Sequence, residues 1–254
     1  MTVPAVNLAP GTLLSRAAKA FKPKPDAYGI HQGVRRMRHG KVNVRVVLMP
    51  SIKNGALVAC EGRLEAALAE SLDLDPSVVA FRGQPFFMPG PNQRELVCDF
   101  VVKDRQARYT VIDVKPSGQL EMPKNKERTR FVRELLTEQR VPYRVISEIE
   151  LEQQPARQIR TQLSKGRGST LTEYQCDQLL AAIRSDASTV SSARKVARSL
   201  GLSAFVIEKL AILDLIRFPI NAPWGESTTI GVHDDHACAS RPGWGAIKDC
   251  LIRF

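Results

Sequence analysis

The apolar positions in the middle of the chain follow two different periods. Residues 61–72 repeat leucine and alanine at helical spacing, which predicts an amphipathic helix of about three turns. Residues 95–102 and 108–114 are short runs with β-branched side chains, and a polar turn separates them. These two runs predict a pair of antiparallel strands that follows the helix.

Weaker patterns on either side complete the first part of the chain. Residues 13–21 favour a short helix, and residues 124–140, with apolar side chains on one face, favour a longer one. Further strands are expected at residues 42–49, 56–60 and 143–149. The pattern therefore predicts a mixed sheet flanked by helices, which is an α/β architecture.

The last third of the chain is dominated by helical patterns. The string at residues 164–170 is rich in Gly, Ser and basic residues, a composition typical of an exposed linker. Three helix-like segments follow it, at residues 172–183, 190–200 and 204–215. Two short strands are expected after them, at residues 216–220 and 228–232. Three helices and a two-stranded wing predict a small winged-helix-like domain.

The composition favours a soluble protein with a large positive charge. The 254 residues carry a net charge of +11 at pH 7. Because there is no long apolar run and no signal-peptide layout at the N-terminus, we expect no membrane span and a cytoplasmic location. The five cysteines are Cys60, Cys98, Cys176, Cys238 and Cys250. Their odd number and scattered positions predict reduced, mostly buried thiols.

Most of the positive charge is concentrated at the N-terminal end. Residues 1–60 contain ten lysines and arginines and a single acid. The basic run of Arg35, Arg36, Arg38 and Lys41 suits contact with nucleic-acid phosphates, which gives affinity without sequence recognition. The alternative is a solvated basic arm that docks on an acidic partner.

Three acids and a lysine are predicted to meet at one end of the sheet. Asp113 and Lys115 are two residues apart on a strand, so their side chains point to the same face. Asp99, on the paired strand, can lie opposite or diagonal to Asp113. Glu65 lies at the edge of the apolar stripe of the helix. Clustered carboxylates raise each other's pKa unless a cation holds them together.

A hard divalent cation fits this set of oxygen ligands. Mg²⁺, with Mn²⁺ as a substitute, takes one or two carboxylates together with water and substrate phosphate. We expect Glu65, Asp99 and Asp113 to bind the metal, and Lys115 to orient the nucleophile or neutralise charge. The four residues together predict metal-dependent cleavage of DNA. A lone D-x-K pair on a strand would not, since it occurs often by chance.

Two polar residues outside this cluster are candidate DNA contacts. Gln84 either faces the site, where it holds water or a phosphate, or closes a turn before Pro85, whose ring favours an extended conformation at Gln84. Both alternatives stay open at this point. Lys53, in the basic N-terminal segment, is the second candidate.

The spacing of the acids and the lysine resembles that of a known group of nucleases. The pattern E-x33-D-x13-D-V-K, formed by Glu65, Asp99, Asp113 and Lys115, is similar to the PD-(D/E)XK restriction-endonuclease-like superfamily. The fuller string RLE…LDLDPSVVAFRGQP…CDF…IDVKP resembles the TnsA family, the endonuclease subunit of heteromeric cut-and-paste transposases. Where this chain has Asp113, some members of that family carry an amide.

The resemblance implies a function within an assembly. It implies an Mg²⁺-dependent endonuclease that cuts the 5′ strand at transposon ends, beside a sister DDE transposase (TnsB-like) and an AAA+ ATPase regulator (TnsC-like). It also implies a restriction-endonuclease-like fold with Glu65, Asp99, Asp113 and Lys115 as the active site. Two alternatives are a stand-alone restriction or repair nuclease and a non-catalytic DNA-binding assembly adaptor.

Four segments are predicted on this basis. They are a basic N-terminal arm at 1–42, a nuclease domain at 43–163, a winged-helix-like domain at 164–232 and a tail at 233–254. The winged-helix-like domain is expected to dock DNA or a protein partner, with neither favoured; the alternative is a helical domain that only supports the nuclease sheet. The tail contains five potential metal ligands, His233, Asp234, Asp235, His236 and Cys238. Their spacing lacks the paired layout of a zinc site, so we expect a flexible tail.

Overall fold

The computed structural model describes residues 12–35, 46–75, 77–91 and 94–233. Over these residues the chain is a mixed α/β protein with four small sheets and nine α-helices. It divides into two compact units, Met1–Leu151 and Glu152–Phe254. None of the helices in these ranges is long and apolar enough to cross a membrane.

The first unit contains five helices and nine strands among its described residues. The helices are α1 (Thr12–Lys19), α2 (Arg63–Leu74), α3 (Ser117–Leu120), α4 (Pro123–Glu138) and α5 (Glu148–Leu151). The strands are β1 (Ile30–His31), β2 (Val46–Ser51), β3 (Ala56–Glu61), β4 (Val78–Gly83), β5 (Phe87–Pro89), β6 (Glu95–Val97), β7 (Phe100–Asp104), β8 (Tyr109–Val114) and β9 (Tyr143–Ile146). The helices predicted from the apolar pattern are confirmed as α1, α2 and α4, each with ends shifted by one or two residues.

A four-stranded sheet forms the centre of the first unit, in the order β4-β7-β8-β9. β7 is antiparallel to β8, with Phe100 opposite Ile112, and β8 is parallel to β9. The predicted antiparallel pairing is therefore confirmed. The parallel pairing of β8 with β9 requires a long crossover connection, and α4 lies in that connection.

The first strand of the predicted pair is interrupted at Cys98 and Asp99. The residues before the break form β6, which pairs with β5, and the residues after it form β7. The Asp99 backbone N–H donates to the Asp113 side chain (3.1 Å). The prediction of one continuous strand over residues 95–102 is wrong, because a carboxylate occupies the place of a strand partner.

The two faces of the central sheet pack against different helices. On one face Phe100 and Val114 pack with Leu68 of α2. On the other face Val101 packs with apolar side chains of α4. Because strand side chains alternate between the faces, Asp113 lies on the α4 face, one residue before Val114 on the α2 face.

A second, three-stranded sheet has the order β1-β3-β2. β2 and β3 are antiparallel and joined by a turn. Residues 42–45 of the first predicted strand lie outside the described residues. After β3 the chain turns into α2 at Gly62, whose φ of 109° lies in a region that favours glycine.

The cysteines in the described part of the chain are buried. Cys60, Cys98 and Cys176 are free thiols, each at most 1% exposed. The prediction of reduced, buried thiols is confirmed for these three. Cys238 and Cys250 lie outside the described residues.

The second unit contains four α-helices and a two-stranded sheet among its described residues. These elements are α6 (Ala156–Ser164), α7 (Glu173–Ser185), α8 (Val190–Ser199), α9 (Val206–Ile212), β10 (Ile216–Arg217) and β11 (Gly231–Val232). Thr172 and Thr189 are the N-cap residues of α7 and α8. Each forms a capping box, which satisfies otherwise unpaired backbone groups. The three predicted helices and the antiparallel strand pair are confirmed, although the strands pair over two residues each.

The segment predicted as an exposed linker, residues 164–170, is packed instead. Lys165–Gly168 forms a 3₁₀ helix in which Gly166 is buried. A Cβ at Gly166 would lie 2.5 Å from the Lys209 backbone nitrogen in α9, so a larger residue does not fit without movement. The division between the units accordingly falls after Leu151, earlier than the predicted boundary, and α6 belongs to the second unit.

Gly166→Ala is expected to lower the free energy of unfolding by about 1–3 kcal/mol, because the added methyl group overpacks this contact. Gly168→Ala is the matched control, since a Cβ there meets nothing within 4 Å. Its free energy of unfolding should stay within about 0.5 kcal/mol of the wild type. Urea unfolding followed by circular dichroism measures both. Equal stabilities of the two variants would contradict the packed arrangement.

Candidate active site

Asp99 and Lys115 meet at the end of strand β8. Asp99 Oδ2 accepts a hydrogen bond from the Val114 backbone N–H (2.7 Å) and lies 3.4 Å from Lys115 Nζ. Lys115 Nζ also donates to the Val114 carbonyl oxygen (2.9 Å). The two side chains are 17% and 20% exposed. The ion pair is therefore held by the backbone at the strand end and is still open to solvent on one side.

Glu65 belongs to the same group of charges. It lies in the first turn of α2, and its Oε2 accepts a hydrogen bond from the Glu61 backbone N–H (2.7 Å). Burial and, next, the negative charge of Asp99 raise the pKa of Glu65 to about 7, and the charge of Lys115 acts in the opposite direction. Three of the four predicted site residues, Glu65, Asp99 and Lys115, thus lie within electrostatic range of one another.

The pKa of Asp99 is also raised above its usual value. Burial and, next, the charge of Asp113 raise its pKa, while Lys115 and the Val114 backbone N–H lower it. Glu65 and Asp99 thus both have raised pKa values, and the charge of Asp99 contributes to that of Glu65. Carboxylates that are costly to ionise in this way favour a cation beside them. The electrostatics of the cluster therefore suit a positively charged ligand.

The fourth predicted residue, Asp113, has a different set of partners. Its side chain is 1% exposed and pairs with Arg128 of α4. The hydroxyl of Tyr143 donates to the same oxygen, Oδ2 (2.9 Å), and Oδ1 accepts the Asp99 backbone N–H. Both carboxylate oxygens are therefore used within the protein. The structure brings Asp113 next to Asp99 through the backbone, but it does not join the open group of Glu65, Asp99 and Lys115.

Arg128 and Tyr143 were not predicted from the sequence. Arg128 lies four residues before Val132, whose side chain is fully buried, so it occupies the apolar face of α4. A basic residue on an apolar helix face is a signal for a buried acidic partner, although the pattern does not say which acid. Arg128 also donates to the Val97 carbonyl oxygen (3.0 Å), which ties α4 to the end of β6.

The residues fit a hard cation with two protein carboxylates. Over the described ranges there is no group of three or more His, Cys, Asp or Glu side chains arranged to hold a metal ion. Glu65 and Asp99 supply two carboxylates, and Mg²⁺ needs no more, because it keeps several waters and binds phosphate oxygens. The site therefore matches a two-carboxylate arrangement better than the predicted set of three with Asp113.

Only part of the basic run that was predicted to contact phosphates lies within the described residues. Arg35 is exposed, and Arg36, Arg38 and Lys41 lie outside the described residues. Lys53, predicted to contact DNA, instead binds the end of α2. Its Nζ donates to the carbonyl oxygens of Leu72 (3.1 Å) and Asp75. A cation there satisfies free helix carbonyls.

Gln84 is 3% exposed and follows strand β4 directly. Its φ of 43° is unusual for a residue other than glycine, so it does not have the extended conformation favoured before Pro85. Its backbone N–H donates to the Asp99 carbonyl oxygen (2.7 Å). Gln84 is therefore attached to the backbone of the candidate site.

Of the predicted tail, only His233 is described, and its Nε2 lies 3.3 Å from Asp214 Oδ1. The other potential ligands, Asp234, Asp235, His236 and Cys238, lie outside the described residues. The prediction of a flexible tail there stays a prediction.

Comparisons with models of known protein families and with curated proteins found no match. The described residues define a mixed α/β protein with two carboxylates and a lysine grouped at the end of its central sheet. Its function is therefore inferred from that group of residues and its surroundings.

Proposed function

We propose that this protein is a metal-dependent DNA endonuclease with a restriction-endonuclease-like fold, acting as the TnsA-like subunit of a cut-and-paste transposase. It would cut the 5′ strand at transposon ends, together with a sister DDE transposase and an AAA+ ATPase. The observation that carries the proposal is the convergence of Glu65, Asp99 and Lys115 at one end of the central sheet. Their order and spacing in the chain support the same class of nuclease.

Glu65 and Asp99 are the residues that would hold Mg²⁺. When bound there, the ion supplies charge stabilisation to the phosphodiester and activates water for in-line attack. Asp99 is oriented for this role by the Val114 backbone N–H, and Glu65 by the Glu61 backbone N–H. Each carboxylate thus has one backbone hydrogen bond, Asp99 has a second from Lys115, and both keep further lone pairs for a ligand.

Lys115 acts on the phosphate. Its ammonium group is held beside Asp99 and the Val114 carbonyl oxygen, which leaves one N–H for a ligand. Donated to a phosphate oxygen, this N–H neutralises the negative charge that develops as the P–O bond breaks. An ammonium group that is largely shielded from water does this better than an exposed one.

Asp113 positions Asp99 rather than touching the substrate. It accepts the Asp99 backbone N–H, and Arg128 and Tyr143 hold it in place from the α4 side of the sheet. An amide at this position could accept the same backbone hydrogen bond. This supports a positioning role for Asp113 in place of the predicted metal ligand.

The second unit is proposed to dock a partner through a winged-helix-like arrangement. All seven residues of α9 are buried, so this helix has no face that can enter a DNA groove. Lys195 and Arg198 of α8 are exposed and suit contact with phosphate or with acidic side chains. We therefore assign docking, not base recognition, to this unit.

Asp99→Ala is expected to lower 5′-strand nicking by at least about a hundredfold, because it removes a metal ligand and the partner of Lys115. The measurement uses the full chain with its sister transposase, an end-bearing duplex labelled at the 5′ strand, and Mg²⁺. Asp104→Ala is the matched control, since Asp104 ends the strand that follows Asp99 and pairs with the exposed Arg108. Its nicking rate should stay near that of the wild type.

Unchanged nicking by Asp99→Ala would reject the assignment. Cleavage by the isolated chain at a sequence of its own would favour a stand-alone restriction or repair nuclease. Intact DNA binding without Mg²⁺ or Mn²⁺ uptake in calorimetry would favour the non-catalytic adaptor.

A further inference from the structure

A basic pocket of about 330 Å³ lies in the first unit, beside the end of β4. α1, the residues after β1 and the residues after β4 form its walls. The described residues that line it include three cations and no Asp or Glu. Arg16, Lys19, Arg82 and Gln84 are the polar side chains through which it would bind a ligand.

Arg82 is a half-buried cation without an acidic partner. Its guanidinium donates to Asn54 Oδ1 (2.5 Å) and to the Phe81 carbonyl oxygen (2.9 Å), and it lies over the Phe21 ring at 5.3 Å. Its Nε is buried with no acceptor. No carboxylate of the described residues pairs with it, and burial lowers the pKa of Arg82 to about 10. A buried positive charge in this state is costly unless an anion arrives from outside.

Gln84 is a second unsatisfied group in the same pocket. The residue is almost completely buried, and its Oε1 has no hydrogen-bond partner. The Val34 backbone N–H donates to the Gln84 carbonyl oxygen (2.9 Å), and a Cβ at Gly33 would lie 2.5 Å from Gln84 Cβ. The backbone therefore holds Gln84 in a conformation that non-glycine residues rarely adopt. Strain and an unpaired buried amide oxygen at one residue are typical of ligand sites. A rotation of the side-chain amide by about 180° would place its NH₂ donor where this oxygen lies, which suits a phosphoryl oxygen as the partner.

We propose that this pocket binds a phosphoryl group, with Arg82 as its main cation, Arg16 and Lys19 as further cations, and the side-chain NH₂ of Gln84 as a hydrogen-bond donor. Arg guanidinium groups suit phosphate because their planar N–H groups match its oxygens. The phosphoryl group comes either from the backbone of a DNA strand or from a small phosphorylated ligand. The DNA source rests on the proposed nuclease function, since Gln84 is bonded to the backbone of Asp99.

The first test is calorimetric titration of the full chain with inorganic phosphate at constant ionic strength. Arg82→Gln is expected to bind phosphate at least about tenfold more weakly than the wild type, because it removes one charge-assisted hydrogen-bonding group. Circular dichroism should show that the variant keeps its fold, because no carboxylate of the described residues loses an ion-pair partner. Arg130→Gln, which changes the exposed Arg130 of α4, is the matched control and should bind as the wild type does.

A second variant keeps the charge of the pocket. Gln84→Asn preserves the amide and tolerates a positive φ, but shortens the side chain by one CH₂. It should also weaken phosphate binding while the fold, followed by circular dichroism, is kept. Wild-type chain that takes up no phosphate, or phosphate binding that neither Arg82→Gln nor Gln84→Asn weakens, would overturn the proposal.

The second test separates the two sources with duplex DNA over a range of salt concentrations. Arg16→Gln/Lys19→Gln removes two pocket cations, and Lys22→Gln/Lys24→Gln removes two exposed cations close by that do not line the pocket. If the source is DNA, the first double variant binds the duplex more weakly, and its salt slope is smaller by about 0.9 for each phosphate that it no longer neutralises. Weakened phosphate binding with unchanged duplex binding assigns the pocket to a small phosphorylated ligand. Neither measurement depends on strand cleavage, so the outcome is independent of the nicking experiment.

Discussion

Replacing Arg128 with methionine is expected to lower the free energy of unfolding by about 3–5 kcal/mol. Arg128 pairs with Asp113, whose side chain is 1% exposed. Its loss leaves a buried carboxylate without the cation that compensates it, and breaking a buried ion pair from one side carries a cost of this size. Methionine keeps much of the side-chain volume, so the loss measures charge more than a cavity. Urea unfolding followed by circular dichroism gives the value.

Arg130→Met is the matched control for this experiment. Arg130 lies on the same helix, its side chain is 73% exposed, and its nearest carboxylate, in Glu134, is 4.0 Å away. Exposed pairs contribute little, so the change should stay within about 0.5 kcal/mol. Arg128→Met/Asp113→Asn should recover most of the loss, because the unpaired charge is gone. Equal losses in Arg128→Met and Arg130→Met would show that Asp113 does not depend on Arg128.

The Arg128 pair links helix α4 to the candidate site by a short series of contacts. Arg128 holds Asp113, Asp113 accepts the Asp99 backbone N–H, and Asp99 carries the carboxylate beside Lys115. The break between β6 and β7 is part of the same arrangement, because the Asp99 N–H is used by a side chain. An interruption of the strand thus presents Asp99 at the end of the sheet.

The elements that the sequence predicted well are those with local periodicity. The leucines of α2 recur at helical spacing, and β7 and β8 are runs rich in β-branched residues. These patterns alone predict a helix and two strands. The break at Asp99 has no such signal, because its partner Asp113 is fourteen residues away in the chain. The packed 3₁₀ helix at Lys165–Gly168 was missed for a related reason. Glycines suggest a linker, while the contact of Gly166 with α9 depends on a segment about forty residues later.

The sequence predicted which residues form the candidate site better than it predicted what each of them does. Spacing grouped Glu65, Asp99, Asp113 and Lys115, and three of them lie in one charge cluster. Spacing could not show that Asp113 is neutralised from α4, because that pairing is tertiary. The same holds for Gln84, whose positive φ, unpartnered side-chain Oε1 and close approach to Gly33 are features of the folded chain.

Glu65→Gln is expected to make the metal-free protein more stable at pH 8 by on the order of 3 kcal/mol. The pKa of Glu65 is raised from 4.5 to about 7, mainly by burial and then by Asp99. As the pH rises through this window, the unfolded chain loses its proton first, so the folded state becomes progressively less stable. Above about pH 7 the whole cost is present, and one pKa unit corresponds to about 1.4 kcal/mol. Below pH 4.5 the wild type and the variant should have nearly equal free energies of unfolding.

Urea unfolding in EDTA at pH 4 and pH 8 measures the effect, with Glu138→Gln, at the exposed end of α4, as a control that should follow the wild type at both values. If the Glu65→Gln variant is no more stable than the wild type at pH 8, the ionised Glu65 carboxylate does not destabilise the folded state.

Addition of Mg²⁺ at pH 8 then tests whether the destabilising charge of Glu65 serves to bind the ion. A ligand at a hundred times its Kd stabilises the folded state by about 2.7 kcal/mol. The wild type should gain most of this and Glu65→Gln little, because the charge that destabilises the empty cluster is the charge that would bind the ion.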